Sequence, residues 1–225
     1  MLSPLHDAAV SQHPVAAPVA RLLLLHGAGA PVQSAFFQQL VPLLNAQGID
    51  VWTANFAFMQ LSLQGKRQVA PRADKLVAEL EQMIATVLSA GNELPLWLAG
   101  KSLGGRVLSL YLSGAAVDTS VAGGVVFGYP LCPPAQAKDP LKAALTLATR
   151  SQCLQQLQRP VLICQGSRDA FGSANALQPL AGNAEVIALH GADHDYVLPK
   201  RAGLPADQAF SLAATAAGEF IRRQR

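Results

Sequence analysis

Residues 100–104 form a Gly-Lys-Ser-Leu-Gly pentapeptide in which the serine has the surroundings of a catalytic nucleophile. An apolar run at 94–99 precedes it and another at 107–112 follows it, so the pentapeptide is predicted to join a buried strand to a packed helix. Glycines at both ends allow a turn that strains Ser102 and exposes its hydroxyl at the carboxyl end of the strand. An ordinary glycine-rich turn gives the same pattern, so the interpretation depends on partners elsewhere in the chain.

A serine hydroxyl is a weak nucleophile at neutral pH and needs a base, which in proteins is most often histidine. The chain has five histidines, at His6, His13, His26, His190 and His194. The first two lie in an aperiodic N-terminal segment, and His190 follows the last predicted strand so closely that we expect it to pack. His194 lies on the loop between the last predicted strand and the last predicted helix, which is where a serine–acid–histidine order places the base.

The base needs an acid that holds its ring, and in this order the acid lies between the serine and the histidine. Asp169 meets that condition, because it follows the next-to-last predicted strand between two glycines. An aspartate at a strand end can equally stabilise a turn. Asp139 is a rival, although the proline after it favours a turn, and the two aspartates that flank His194 are too close to it in sequence. We predict Asp169 as the acid.

Negative charge that develops on a carbonyl oxygen needs two hydrogen-bond donors. One is the backbone N–H of Leu103, directly after the serine. The other is expected from the loop after the first main strand, where we favour the N–H of Ala28 and place that of Gly29 second. His26, at the start of this loop, is interpreted as a structural residue that braces it.

Two cations lie close to the serine in sequence. Lys101 occupies the position directly before Ser102, and Arg106 lies one helical turn beyond it. Either could bind an acidic substrate. Either could instead form a salt bridge with the fold or face solvent, and this second interpretation is the more common outcome for such residues.

All of these residues are predicted at one edge of a sheet. Apolar runs without alternation, typical of parallel strands buried on both faces, alternate along the chain with amphipathic segments. The strands are predicted at 19–25, 49–54, 94–99, 121–127, 160–165 and 184–189, and the helices at 34–47, 74–90, 107–112, 173–180 and 206–222. This order predicts a doubly wound, mostly parallel α/β sheet with helices on both faces and functional residues at the carboxyl ends of the strands.

Three further segments complete the chain. Residues 1–18 are aperiodic and are expected to be irregular apart from one short edge strand, and residues 55–71 are predicted to be a long loop. Residues 128–157 hold a proline-rich loop followed by a loosely helical stretch. None of these segments is long enough for a separate cap domain. Residues 1–225 are therefore predicted to form a single domain with minimal or no cap, in which the loops shape a modest pocket.

Composition argues against several classes of function. Hydrophobic residues make up 51% of the chain and charged residues 14%, which is typical of a well-buried globular protein. The net charge of +3 is scattered apart from a basic C-terminal tail, so we expect no nucleic-acid-binding face. No apolar run approaches the roughly 20 residues of a membrane span, and the N-terminus lacks the basic region of a secretory signal. Three cysteines without metal-ligand spacing suggest reduced thiols and a cytoplasmic protein.

With its motifs in this order, the chain resembles the serine α/β-hydrolases from Val19 onward. More narrowly, it is similar to a compact bacterial hydrolase family distantly related to dienelactone hydrolases, and to the hydrolase-like domain of an animal chromatin-acetylation complex subunit. The segments that carry this narrower resemblance are residues 26–30, 100–106, 128–131, 165–172 and 191–195. The resemblance implies that Ser102, Asp169 and His194 form a catalytic triad.

The resemblance also implies a substrate pocket formed by loop residues. The residues expected there are Phe56, Phe58, Tyr129, Cys132 and Phe171. The chain departs from the family pattern at two of these places. Cys132 stands where the family more often has histidine, and the Asn-Phe-Ala-Phe-Met run at 55–59 replaces a more usual Phe-Pro-Tyr-Met.

The motifs and the resemblance together predict a hydrolase that needs neither a metal nor a cofactor. Its substrate would be a small-molecule acyl ester or thioester, cleaved through an acyl-enzyme intermediate. Two other functions stay open at this point. One is a non-catalytic binding or scaffold domain that keeps the hydrolase shell, and the other is a peptidase on the same fold.

Overall fold

Seven strands build the central sheet of the computed structural model, which describes residues 10–91 and 93–224. They are β1 (Val10–His13), β2 (Ala20–Leu25), β3 (Ile49–Ala54), β4 (Leu96–Lys101), β5 (Val121–Phe127), β6 (Val161–Gly166) and β7 (Glu185–Leu189). Their order across the sheet is β1-β3-β2-β4-β5-β6-β7. The short β1 pairs antiparallel with β3, and every other neighbouring pair is parallel. This confirms the predicted mostly parallel α/β sheet.

Helices connect the strands and cover the sheet on both faces. They are α1 (Ala35–Ala46), α2 (Ala57–Leu63), α3 (Val77–Ser89), α4 (Leu103–Leu112), α5 (Pro134–Ala137), α6 (Pro140–Gln155), α7 (Ala174–Leu177) and α8 (Gln208–Arg223). A short 3₁₀ turn at Ala73–Leu76 leads into α3, and another at Gln178–Leu180 follows α7. Within the described ranges, no helix is long and apolar enough to cross a membrane.

The unbroken apolar run of β2 follows from burial on both faces of the sheet. Leu22 and Leu24 belong to the core cluster that holds the inward residues of α1 and α8. Leu23 and Leu25 belong to the cluster on the opposite face, which holds those of α3 and α4. Because side chains alternate between the faces of a strand, a central strand with helices on both sides needs apolar residues at every position.

The predicted loop at 55–71 is partly helical, because α2 occupies its first half. Phe58 and Met59 on this helix are buried in the core. A helix of about two turns is too short to show a clear period of 3.6 residues, so the sequence pattern predicted a loop. The excursion after β5 contains α5 and α6, and no cap domain is evident over the carboxyl edge of the sheet in the described part of the chain.

Asp139, the rival candidate for the acid, begins α6. Its carboxylate accepts hydrogen bonds from the backbone N–H groups of Leu141 and Lys142, at 3.1 and 3.2 Å. The proline that follows it is the first residue of the helix, where its fixed φ and missing N–H are tolerated. Asp139 is therefore the N-cap of a helix and not a turn residue.

Candidate active site

Ser102 lies in the one-residue turn between the end of β4 and the start of α4. Its backbone has φ +50° and ψ −107°, and its side chain is partly exposed. A positive φ in a residue with a Cβ costs about 1–3 kcal/mol, so the surrounding structure must impose it. The turn lifts the hydroxyl above the carboxyl end of the strand, as the pentapeptide predicts.

The glycines around Ser102 are required by the close approach of α4 to the sheet. A Cβ at Gly100 would overlap the backbone of Gly104 and Gly105. A Cβ at Gly104 would lie 2.8 Å from the carbonyl oxygen of His26 and from the Cβ of Leu25. The Gly104 N–H also donates to that carbonyl at 3.1 Å. The helix therefore starts in direct backbone contact with β4 and with the loop after β2.

The predicted acid and base are hydrogen-bonded to each other. His194 Nδ1 lies 2.7 Å from Asp169 Oδ2. The Asp169 side chain is fully buried and that of His194 is 15% exposed. Because a carboxylate can only accept, Nδ1 carries the proton and Nε2 is left to accept one. The aromatic ring of Phe171 packs against the imidazole, with 4.4 Å between the ring centroids.

Gln165, at the end of β6, holds the acid in place. Its Nε2 donates to Asp169 Oδ2 at 3.0 Å, and the N–H of Phe171 donates to the other carboxylate oxygen at 2.7 Å. Gln165 is itself fully buried, and its Oε1 accepts from the N–H of Tyr129. Gln165 was not among the site residues predicted from the sequence. The available signal was a lone amide at the end of an otherwise apolar strand, next to the predicted acid.

The carboxyl end of β5 adjoins both Ser102 and His194. The Ser102 N–H donates to the carbonyl oxygen of Phe127 at 3.2 Å. A Cβ on the next residue, Gly128, would lie 3.4 Å from the His194 ring, so the backbone there runs against the imidazole. Within the described residues, no hydrogen bond joins the Ser102 hydroxyl to that ring. In free enzymes such a bond is often long and tightens only when substrate binds.

A pocket beside Ser102 encloses about 530 Å³, within the usual range for small-molecule sites. Leu103 and Ala28, two of the three predicted oxyanion donors, line it together with Ser102, and Gly29 does not. Leu103 is the first residue of α4, so its N–H has no partner within the helix. Phe171 also lines the pocket.

The other four residues expected in the pocket do not line it. They are Phe56, Phe58, Tyr129 and Cys132, and all are buried. Phe56 and Phe58 pack around the ring of His26, with centroids 5.2 and 5.4 Å away. Tyr129 donates its hydroxyl to the backbone carbonyl of Arg150 at 2.5 Å. The sequence does not separate the two roles for the three aromatic residues, because a large aromatic residue next to a site serves equally well to pack its segment onto the core.

His26 braces the loop that carries Ala28. Its Nδ1 donates to the carbonyl oxygen of Gly27 at 2.5 Å, and its Nε2 accepts from the N–H of Phe56 at 3.0 Å. The ring is fully buried. Burial lowers the pKa of His26 to about 4, opposed in part by the hydrogen bond to Gly27. The ring is therefore neutral at pH 7 and both nitrogens are used by the fold.

Lys101 ties the serine turn to the loop that bears His194. Its Nζ donates to the backbone carbonyl oxygen of His194 at 2.6 Å and pairs with Asp195 Oδ1 at 3.2 Å. The ammonium also lies 5.1 Å from the ring centre of Phe36. Burial lowers the pKa of Lys101, and the carboxylate of Asp195 opposes that effect. Lys101 therefore forms a salt bridge within the fold, which is the second of the two roles considered for it.

The close packing at Gly100 gives a direct test of the elbow. Gly100→Ala is expected to lower the free energy of unfolding by at least about 3 kcal/mol, because the new methyl meets backbone atoms that cannot move independently. Gly29→Ala is the matched control, since a Cβ there meets nothing within 4 Å and its stability should change by less than about 1 kcal/mol. Urea unfolding measures both. A loss below about 1 kcal/mol for Gly100→Ala would contradict the packing.

The buried His26 should make the free energy of unfolding decrease as the pH falls through the acid range. The unfolded chain takes up a proton near pH 6.5 and the folded chain only near pH 4, so the stabilisation is complete above 6.5 and falls away as the pH drops to 4. The difference corresponds to about 3 kcal/mol. Urea unfolding from pH 8 to pH 4 should show this loss in the native protein and a correspondingly smaller one in His26→Gln. Parallel curves for the two proteins would rule out His26 as the source.

The contacts of Lys101 predict that substitutions of Lys101 and of Asp195 lower the free energy of unfolding by different amounts. Lys101→Met removes the donor to the His194 carbonyl and should lower the free energy of unfolding by about 1.5–3 kcal/mol. Asp195→Asn keeps that bond, and because Asp195 is 73% exposed the loss should stay below about 1 kcal/mol. Equal losses in the two variants would show that the exposed ion pair, and not the bond to the loop, carries the stabilisation.

Comparison with known proteins identifies the fold family. Three solved structures align along most of the chain. Est1E from Butyrivibrio proteoclasticus has a TM-score of 0.67 at 14% identity, covering 93% of this chain and 89% of that chain. The monoacylglycerol lipase of Paleococcus ferrophilus has a TM-score of 0.65 at 14% identity, covering 96% and 99%. The esterase Pf2001 of Pyrococcus furiosus has a TM-score of 0.64 at 16% identity, covering 92% and 83%.

At these identities the structural likeness shows a common fold, and none of the three is a dienelactone hydrolase. No curated protein sequence gives a significant match. The sequence itself matches the alpha/beta hydrolase domain family over residues 18–222, a range that includes six of the seven strands, the serine turn and the Asp169–His194 pair. The chain therefore belongs to the alpha/beta hydrolase domain family.

Proposed function

We propose that this chain is a serine hydrolase that cleaves small acyl esters or thioesters through a covalent acyl-enzyme. The observation that carries the proposal is the Asp169–His194 hydrogen bond of 2.7 Å at the same edge of the sheet as the strained Ser102. A strained serine, a histidine with a free ring nitrogen and a buried carboxylate have the roles of a catalytic triad. Family membership and the fold shared with esterases and a lipase support the same reaction class.

In the acylation step, the Ser102 oxygen attacks the carbonyl carbon and His194 Nε2 takes the hydroxyl proton. Asp169 keeps the proton of the ring on Nδ1 and stabilises the imidazolium that forms. The carbonyl oxygen becomes negatively charged. We assign its stabilisation to the N–H groups of Leu103 and Ala28, which line the same pocket as the serine. His194 then gives its proton to the leaving alcohol or thiol.

In the deacylation step, His194 removes a proton from water, which attacks the acyl carbon. The same two N–H groups stabilise the second oxyanion, and Ser102 leaves with the proton from the imidazole. The path requires the Ser102 hydroxyl and His194 Nε2 to come within hydrogen-bond distance in the substrate complex. Gly128 follows Phe127, whose carbonyl oxygen accepts from the Ser102 N–H, and lies beside the His194 ring, so the same strand end adjoins both residues.

The shape of the site favours a small substrate. The pocket of about 530 Å³ is open to solvent and no inserted domain covers it in the described residues. Its lining combines apolar residues such as Leu103, Leu145 and Phe171 with polar and charged side chains, which is typical of a small-molecule site. We infer that residues 1–225 act as a single catalytic domain.

Substitution of the nucleophile tests the assignment. Ser102→Ala should lower kcat for a p-nitrophenyl ester by up to about 10⁶-fold and abolish covalent labelling by a fluorophosphonate. Ser113→Ala, at the other end of α4, is the control and should label and turn over like the native protein. Hydrolysis rates and intact-protein mass measure both effects. Native protein that is folded but neither labels nor hydrolyses esters or thioesters would instead be a scaffold domain, and one that cleaves peptide anilides but not esters would be a peptidase.

A further inference from the structure

Arg106 has a buried guanidinium nitrogen without a partner on the wall of the pocket beside Ser102. It lies one turn along α4 from the serine and lines the pocket with it. Its Nη1 is shielded from solvent and makes no hydrogen bond to any described residue. Buried donors nearly always have a partner in a folded protein, and an unpaired donor on a charged group is the most costly kind. The fold thus leaves part of the hydrogen-bonding capacity of this guanidinium unused.

Arg150 places a second cation in the same pocket. It is partly buried on α6, and its Nη1 donates to the carbonyl oxygen of Pro130 at 2.5 Å. Burial and the nearby charge of Arg106 both lower the pKa of Arg150. The two guanidinium groups are thus near enough to repel each other. Like charges that the fold holds close together favour the binding of an anion between or beside them.

No carboxylate of the described chain neutralises this pair. Asp74 also lines the pocket, but it forms an ion pair with the exposed Arg72 at 3.1 Å. Neither Arg106 nor Arg150 takes part in any salt bridge among the residues described. The other polar groups on that side are neutral, and Thr146 donates to Gln136. The pocket therefore keeps an uncompensated positive charge close to the nucleophile.

We propose that Arg106, assisted by Arg150, binds a carboxylate group carried by the substrate. This inference rests on the proposed hydrolase function and narrows its substrate to a small ester or thioester that bears a second, free carboxylate. A planar guanidinium with unpaired N–H groups matches a carboxylate with two parallel hydrogen bonds. The pocket volume accommodates an acyl chain of a few carbons between the reacting carbonyl and that group.

The experiment compares charged and neutral esters of the same length. Mono-p-nitrophenyl adipate carries the carboxylate on the acyl side, and p-nitrophenyl hexanoate is its neutral counterpart. In a second arm, 4-acetoxybenzoate carries the carboxylate on the leaving group, and phenyl acetate is the neutral counterpart. The quantity measured is the ratio of kcat/KM for the charged ester to that for the neutral one, so that general effects on catalysis cancel.

The native protein should favour the charged ester in at least one arm by about tenfold or more. Arg106→Gln should lower that ratio by about 10–100-fold. Arg150→Gln should lower it less, because one of its nitrogens is already bonded to Pro130. Arg106→Lys keeps the charge and should keep part of the ratio, which separates binding from folding. Arg67→Gln removes one exposed charge outside the pocket and should leave the ratio within about twofold.

A preference for the charged ester in the first arm indicates a carboxylate on the acyl side of the substrate. A preference in the second arm indicates one on the leaving group. A ratio near one in both arms, or a ratio that Arg106→Gln leaves unchanged, overturns the carboxylate subsite and leaves the hydrolase function standing. If neither esters nor thioesters are hydrolysed, the proposed function fails, and calorimetry with monomethyl adipate then decides the subsite alone. Binding to the native chain that is lost in Arg106→Gln supports the subsite, and absence of binding overturns it.

Discussion

The close contact between the start of α4 and the strands beneath it is the constraint on which the site depends. Ser102 keeps its strained backbone only because the segments on either side cannot relax. Gly100 lets the helix backbone touch β4, and the Gly104 N–H is bonded to the carbonyl oxygen of His26. The same contact fixes the loop that carries Ala28, since His26 is held at both ring nitrogens. The same contacts therefore hold the proposed nucleophile and the proposed oxyanion donors.

A second set of contacts joins this support to the acid and the base. Lys101, the residue before the nucleophile, holds the backbone of His194 through its ammonium group. Gln165 holds Asp169, which in turn holds the imidazole. These three links run between the ends of β4 and β6 and the loop after β7.

The parts of the molecule that could be predicted from the sequence are those determined by residues close together in the chain. The apolar runs of β2 to β6 reflect burial on both faces, and the Gly-x-Ser-x-Gly turn reflects backbone contact, so both leave a pattern that can be recognised. Contacts between distant segments leave no such pattern. The brace formed by Gln165, the partners of Lys101 and the short α2 helix all depend on which loops meet in three dimensions. The aromatic residues expected in the pocket were misplaced for the same reason, because an aromatic residue on a loop serves a core or a pocket equally well.

The two cations near Ser102 show how position on an element decides the role of a charge. Lys101 ends a strand and points toward the face that carries α1, where it meets Phe36 and finds both a carbonyl and the carboxylate of Asp195. Arg106 lies on α4, across the sheet from α1, lines the pocket and forms no salt bridge with any described residue. Pairing within the fold offsets part of the cost of burying a charge, whereas a buried charge left unpaired is costly unless a ligand completes it. The fold neutralises the first cation and leaves the second without a salt-bridge partner among the described residues, which is the basis of the proposed carboxylate subsite.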